Sequence, residues 1–229
     1  MDWEYDEYKQ IGTDYMDDEE VKVYDENMRD LRNYQEEAEK IISLTDINKS
    51  KSIVDIGAGT GELALELAGF CEFIYALDIS ETMLEYARKK AERREITSIE
   101  FIKSGFLSLD LPESSIDVVT TQLALHHLPD FWKSIALKNI YDILKPGGKL
   151  FLYDVVFDFK LENYSQNINE FIELTGGESE KRTEDSKLHI KEEYSTYSWI
   201  LEEICIRAGF LLDEKQIERS LFGTYVFKK

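Results

Sequence analysis

The stretch Val54-Asp55-Ile56-Gly57-Ala58-Gly59-Thr60-Gly61-Glu62 decides how this 229-residue chain is read. It follows a strand, Ser52 to Ile56, and opens a helix, the context in which a glycine loop carries meaning. Glycines at 57, 59 and 61 let the backbone turn tightly and let a ligand approach the main chain without a Cβ in the way. A dinucleotide fingerprint would place its third glycine at 62, where Glu62 stands, and a carboxylate at that helix N-terminus repels a pyrophosphate. A ligand with a cationic centre is the better match to Asp55 and Glu62.

Outward from the loop, short apolar strands alternate with amphipathic helices, the pattern of a mostly parallel sheet covered on both faces. Ser52 to Ile56, Phe73 to Leu77, Ile99 to Ile102, Ile116 to Thr121 and Lys149 to Val156 read as five successive strands. Ser80 is the expected N-cap of one helix. Asp130 is the expected N-cap of another, whose stripe Trp132, Ile135, Ile140, Ile143 stops at Lys145-Pro146-Gly147-Gly148. The second strand ends in Ala76-Leu77-Asp78-Ile79-Ser80, placing Asp78 21 residues after Gly57 (78 minus 57), where a carboxylate can accept both hydroxyls of a ribose. After residue 157 a polar, poorly periodic stretch runs to about 187. A helix from Ser195 or Thr196 to Ala208 then closes on Gly209. Phe210 to Ile217 and Leu221 to Phe227 read as an antiparallel pair at one sheet edge.

Composition narrows the partners. With 47 Asp and Glu against 27 Lys and Arg, the net charge of -20 repels polyphosphate backbones and anionic lipid, so neither nucleic acid nor stable membrane association is expected. The 43% hydrophobic content supplies a packed core, so the charge does not mark a disordered acidic chain. Cys71 and Cys205 lack any disulfide or zinc spacing and read as buried thiols. The acidic N-terminus has no signal-peptide pattern, which gives the expectation of a cytoplasmic protein, monomeric or homodimeric. The first 40 residues hold 15 acids and 5 bases, half of the excess charge, and Tyr24, Met28, Leu31, Ala38 and Ile41 recur at helical spacing. The division expected is an acidic helical extension over 1–43, with one helix from about 19 to 43, and a single domain over 44–229 with an acceptor-side insertion at about 157–192.

The loop and Asp78, taken with Ser115-Ile116-Asp117-Val118-Val119 at strand four and Leu144-Lys145-Pro146-Gly147-Gly148 before strand five, resemble the class I S-adenosylmethionine-dependent methyltransferases. The resemblance is clear over roughly residues 20–156. It implies an α/β, Rossmann-like, seven-stranded, mostly parallel sheet with helices on both faces and the last strand antiparallel. It also implies S-adenosyl-L-methionine as methyl donor and S-adenosyl-L-homocysteine as product. The cofactor contacts it implies are Asp55, Gly57, Ala58, Gly59, Gly61, Asp78 and Ile79, with Gln122 and Leu123 after strand four. One departure stands out: Lys103-Ser104-Gly105-Phe106-Leu107 lacks the acid that many members place after strand three for the adenine amino group. Adenine is then expected against the backbone of Gly105 and Phe106, with the Phe106 ring as a stacking face.

Acceptor chemistry is expected beyond strand four, in Thr120-Thr121-Gln122-Leu123-Ala124-Leu125-His126-His127-Leu128-Pro129, at the carboxyl end of the sheet. The segment lacks the Asn/Asp-Pro-Pro-aromatic motif of the family's amine and glutamine methylases, leaving a small-molecule acceptor with its O, N, S or C atom undetermined. His126 and His127 are the candidate catalytic residues, as base or as pocket walls. No metal site is expected, because His126, His127 and His189 lie on distant segments. His189, Tyr194, Tyr197 and Trp199 are candidates for acceptor recognition, against the competing view that Trp199 joins Ile200 and Ile204 on a core-facing helix stripe. Tyr15, Tyr24 and Met28 are candidates for a lid. Three rivals remain: a non-catalytic cofactor-binding module, a quinone-type carbon methyltransferase to which the strand-four and Lys-Pro-Gly-Gly segments are also similar, and a nicotinamide oxidoreductase, which Glu62 disfavours.

Overall fold

Strand β1 (Ser52–Ile56) lies at the centre of the sheet, four of its five residues buried, because neighbours cover both its edges and both its faces. The computed structural model describes residues 3–9, 17–29 and 32–229. Parallel strands β2 (Phe73–Asp78) and β3 (Ile99–Lys103) extend the sheet on one side of β1, and β4 (Ile116–Gln122) and β5 (Leu144–Phe157) extend it on the other. Two further strands, β7 (Leu211–Glu218) and β8 (Phe222–Lys228), pair antiparallel and attach through β8 to β5, giving the order β3-β2-β1-β4-β5-β8-β7. The antiparallel pair at one edge is thus as expected. The sheet gains an eighth member, β6 (Thr196–Tyr197), which pairs with the end of β5.

Helices fill both faces. Helices α5 (Asp130–Ile143) and α8 (Ser198–Ala208) bury Leu137, Ile140, Leu201 and Cys205 against β4, β5 and β8. On the other face α2 (Tyr34–Thr45) and α3 (Glu62–Leu67) bury Ala38, Ile41, Ala64 and Leu67 against β1 and β2. Both cysteines are free and buried, and burial raises their thiols, Cys71 to about 11. Helix α4 (Glu81–Arg93) starts where Ser80 accepts the Met83 N–H, as the sequence predicts. α8 closes on Gly209 at φ +112°, where the ring of Tyr141 would meet any Cβ.

Several expectations are corrected. The single helix over 19–43 is two helices, α1 (Asp18–Arg29) and α2, because Asn33 leaves helical geometry and its side chain accepts the Glu36 N–H as the cap of α2. Pro129, not Asp130, is the cap of α5; Asp130 is its first residue and accepts from Lys133 and Thr196 instead. α5 ends at Ile143 and β5 starts at Leu144, so Lys145-Pro146-Gly147-Gly148 is a bulge within the strand, where the register shifts between Ile116 and Val118. The polar, poorly periodic stretch after 157 folds into α6 (Tyr164–Gly176) and α7 (Glu180–Glu192), which pack on each other. α8 begins at Ser198 because Thr196 and Tyr197 are taken by the sheet. Among the described residues, no helix is long and apolar enough to cross a membrane.

Candidate active site

The carboxyl ends of β1, β2 and β4 open into one cavity of about 900 Å³, at the point where the chain winds away from β1 in both directions. The glycine loop forms its floor. Gly57 (φ +77°) lies so close to Ala124 that an added Cβ would sit 2.4 Å from the alanine Cβ, which locks the loop against the segment after β4. A Cβ on Gly59 (φ +55°) would meet nothing within 4 Å, so bare backbone faces the space above. Gly61 does not line the cavity; it caps α3, with Ala87 and Phe101 against it.

Two acids flank the loop, Asp55 buried and Asp78 half-buried. Asp78 accepts the Gly59 N–H at 2.7 Å through Oδ2 and the Ser80 N–H at 2.8 Å through Oδ1, so it braces the loop to which it is adjacent. Burial raises its carboxyl against the pull of those amides. Asp55 accepts from the Thr120 hydroxyl at 2.7 Å, and burial pushes it up to about 6. Glu62 also borders the cavity, but Lys90 (2.9 Å) and Arg94 (2.7 Å) neutralise it, which corrects its expected role as an acid for a cationic ligand.

Ala58, Ile79, Gly105, Phe106, Gln122 and Leu123 all line the cavity. Leu123 holds φ +51°, a left-handed conformation that costs a branched residue about 1–2 kcal/mol and turns the chain sharply out of β4. Arg32, from the break between α1 and α2, donates to Gln122 Oε1 at 2.8 Å and to Glu37 Oε1 at 3.0 Å. Gln122 Nε2 is buried and has no hydrogen-bond acceptor among the described residues. Tyr24 and Met28 of α1 line the same space, and Thr60 donates to Asp25 of that helix. Tyr15 lies outside the described residues. An acid from a distant segment reaches the turn after β3: Glu7 accepts the Leu107 N–H (2.9 Å) and the Ser108 N–H (2.7 Å), beside Gly105.

At the far end the cavity reaches the histidines. Asp154 of β5 contacts His126 Nδ1 through Oδ1 at 2.5 Å and accepts its backbone N–H at 3.0 Å; Glu193 Oε2 lies 3.2 Å from His126 Nε2. Burial alone would lower His126, but the two carboxylates outweigh it and raise the imidazole to about 10. His127 goes the other way, to about 4, through burial and the charge of His126. The two candidate bases are therefore separated: His126 is a clamped cation and His127 is neutral at neutral pH. His189 contacts Glu193 through Nδ1 and Ser195 Oγ through Nε2 at 2.8 Å.

Of the four acceptor candidates, His189 alone lines the cavity. Tyr194 serves through its backbone, whose N–H donates to the His126 carbonyl (2.8 Å) and whose carbonyl accepts from buried Lys133. Trp199 is 67% exposed and, with Tyr197, borders a separate hollow beside Phe159; it is neither in the cavity nor on the core face of α8. Glu7, Arg32, Asp154 and Glu193 were missed by sequence reasoning, since each reaches the site from an element with no motif of its own.

A family model described as a methyltransferase domain matches residues 54–152. A demethylmenaquinone methyltransferase of Lactococcus lactis is 31% identical over 174 residues, 72% of this chain and 68% of that protein. The chain belongs to the class I S-adenosylmethionine-dependent methyltransferases. A second relative of the same name, from Geobacillus, is 30% identical over 107 residues, 45% of each chain. A methyltransferase structure from Aquifex aeolicus superposes with a TM-score of 0.66 at 17% identity, covering 93% of this chain and 98% of that one, and shows the shared fold.

The methyltransferase uses S-adenosylmethionine, and the cavity fits it on three observations. The bare glycine backbone admits close approach. Asp55 and Asp78 face it with a buried and a half-buried carboxylate suited to a ligand carrying a sulfonium and an ammonium group. The orphaned Gln122 Nε2 offers a donor to a ligand oxygen.

Proposed function

We propose that this methyltransferase methylates a flat, small-molecule acceptor carrying an ionisable hydroxyl, of the hydroquinone class. The observation that carries the reading is the wall of the cavity next to the histidines. Phe171 lies tilted against His189 (5.2 Å between ring centroids, 35°) and against Phe222 (6.0 Å, 32°), and Phe222 stacks on Tyr153 (6.1 Å, 18°). An aromatic wall ending in imidazoles accommodates a flat ring and leaves its hydroxyl at a polar terminus. The relatives named demethylmenaquinone methyltransferase support the same class.

Under this reading Asp78 holds the ribose, the loop at Gly57 to Gly59 and Asp55 receive the methionine part, and Gly105 and Phe106 border the adenine. Bound there, the cofactor supplies a methyl group on a positively charged sulfur, which needs no acid to leave. The protein's work is alignment and water exclusion, and for a hydroxylated acceptor a place for the oxygen and its proton. His127 has a neutral ring with no hydrogen bond among the described residues, so its lone pair is available to the acceptor O–H. His126, charged and fixed by Asp154, is a positioning residue, not the base. Tyr24 and Met28 cover the cofactor end.

The test is incubation of purified protein with S-adenosylmethionine and a reduced naphthohydroquinone, reading S-adenosylhomocysteine and a methylated ring product by mass spectrometry. Turnover lost in His127→Ala but with S-adenosylhomocysteine binding intact supports the reading. Binding of the cofactor with no methylation of any hydroquinone overturns the acceptor class.

A further inference from the structure

We propose that His126, His127 and Glu193 form a three-ligand site for a divalent transition cation of the zinc class, with its open position facing the acceptor end of the cavity. Spacing along the chain disfavours a metal, because the donors lie about 66 residues apart; the fold removes that objection. The turn after β4 presents both histidines, the end of α7 presents Glu193, and the Tyr194 N–H to His126 carbonyl bond ties the two segments together. One donor atom from each of the three lies within 4.8 Å of the other two, and among the described residues no other trio of His, Cys, Asp or Glu does so.

The distances suit an ion. Two donors at tetrahedral angles on a cation with bonds of about 2.0–2.1 Å lie roughly 3.3–3.4 Å apart; His126 Nε2 and Glu193 Oε2 are 3.2 Å apart. His127 supplies the third donor, within 4.8 Å of the other two, on a ring that makes no hydrogen bond among the described residues. The supporting shell is in place as well. Asp154 occupies His126 Nδ1 and so leaves Nε2 as the donor, the carboxylate–histidine arrangement that orients metal ligands. His189 Nδ1 contacts the same Glu193 Oε2 and holds it in place, and His189 is itself fixed by Ser195. Charge points the same way. Once the ion displaces the proton from His126, the buried carboxylates of Asp154 and Glu193 supply two negative charges that balance one divalent cation. Two imidazoles with one carboxylate favour zinc, cobalt or ferrous iron over magnesium or calcium.

This inference deepens the proposed function, on which its assignment of the open position to an acceptor oxygen rests; with the ion bound, that oxygen is reached through the metal instead of by His127 directly. Ion binding itself needs neither cofactor nor acceptor. The experiment is titration of the full-length, metal-stripped protein with Co²⁺, followed by its visible d–d absorption, and with Zn²⁺ in competition with a chromophoric chelator. S-Adenosylhomocysteine binding is measured in parallel by calorimetry without metal. One equivalent taken up at micromolar affinity or better is expected. Zn²⁺ affinity should fall at least tenfold in His127→Asn and in Glu193→Gln, and about 10–100-fold in Asp154→Asn. Variants that still bind S-adenosylhomocysteine are folded. No uptake by the wild-type protein at tens of micromolar, or uptake unaffected in both His127→Asn and Glu193→Gln, overturns the site. Cofactor binding without metal uptake removes this inference and leaves the proposed function standing; metal uptake without cofactor binding does the reverse.

Discussion

Asp154 holds His126 at two points, its Oδ1 2.5 Å from the ring Nδ1 and its Oδ2 accepting the backbone N–H at 3.0 Å. The pair joins β5 to the turn that forms the histidine end of the cavity, so the orientation of the ring is set by β5 and not by its own segment.

In the metal-free protein, Asp154→Asn should therefore cost about 3–5 kcal/mol, the usual penalty for removing one partner of a buried pair. The pH dependence follows from both groups. Burial opposes the charge on Asp154, but His126 overrides it and lowers the carboxyl, so this contribution is present above the unfolded value of 3.8 and is lost as pH falls. His126, raised from 6.5 to about 10, contributes fully below 6.5 and loses its contribution as pH rises through about 10. The stability gap between wild type and Asp154→Asn, measured by urea unfolding, should be widest between those two limits. A gap independent of pH would contradict the pairing.

Asp55 should make cofactor binding depend on pH. Burial raises its carboxyl from 3.8 to about 6, so the folded protein holds the proton more tightly than the unfolded chain. Stability from this group is present at low pH and is lost as pH rises through about 6. A cationic ligand favours the ionised form. S-Adenosylmethionine binding should then tighten as pH rises through about 6 and release a proton, visible as a buffer-dependent enthalpy in calorimetry. Asp55→Asn should bind at least about tenfold more weakly, as a charged hydrogen bond becomes neutral, and lose the pH dependence. An affinity flat across this range would count against Asp55 as a cofactor contact.

Gly57→Ala should destabilise by about 2–4 kcal/mol, of which about 1–2 comes from a left-handed backbone and the rest from overlap with Ala124. The double variant Gly57→Ala, Ala124→Gly should regain the overlap part and keep the backbone part. Thermal unfolding of the three proteins checks this, and a double variant no more stable than Gly57→Ala would show that the contact is not the cause.

Glu7→Ala should leave the Leu107 and Ser108 N–H groups without their acceptor, at a cost of about 1–3 kcal/mol. Faster amide hydrogen exchange at residues 107 and 108 and weaker S-adenosylhomocysteine binding are expected together. Faster exchange with unchanged binding would restrict Glu7 to a structural role.

Asp78→Ala should abolish detectable cofactor binding, since it removes both the ribose acceptor and the brace on the Gly59 and Ser80 N–H groups. Asp78→Asn, which keeps one acceptor oxygen, should retain weak binding in the same calorimetric titration. Equal loss in both variants would assign the effect to the loop alone.

The central sheet was legible because its signals are local. Strand β1 runs over the residues its apolar run predicts, Ser80 and Gly209 end their helices by rules of one or two turns, and the glycine loop is written in consecutive residues. Misreadings fall where a distant partner decides the outcome. Helices α6 and α7 were hidden because α7 buries Ser186 as its one fully buried residue and is otherwise polar, its packing against α6 supplying what its own pattern lacks. The break at Asn33 is set by a cap and by Arg32 turning towards Gln122, 90 residues away.

What the sequence determined by itself is the alternation of strands and helices, the glycine loop, the acid after β2 and, through them, the family and its cofactor, since each rests on neighbours within a few residues. Only the tertiary structure decided the chemistry of the histidine end of the cavity. It brought Asp154 and Glu193 to His126, left His127 neutral beside it, carried Glu7 to the loop after β3 and put Trp199 outside. Those outcomes depend on burial and on charges meeting across segments, and neither quantity exists until the chain has folded.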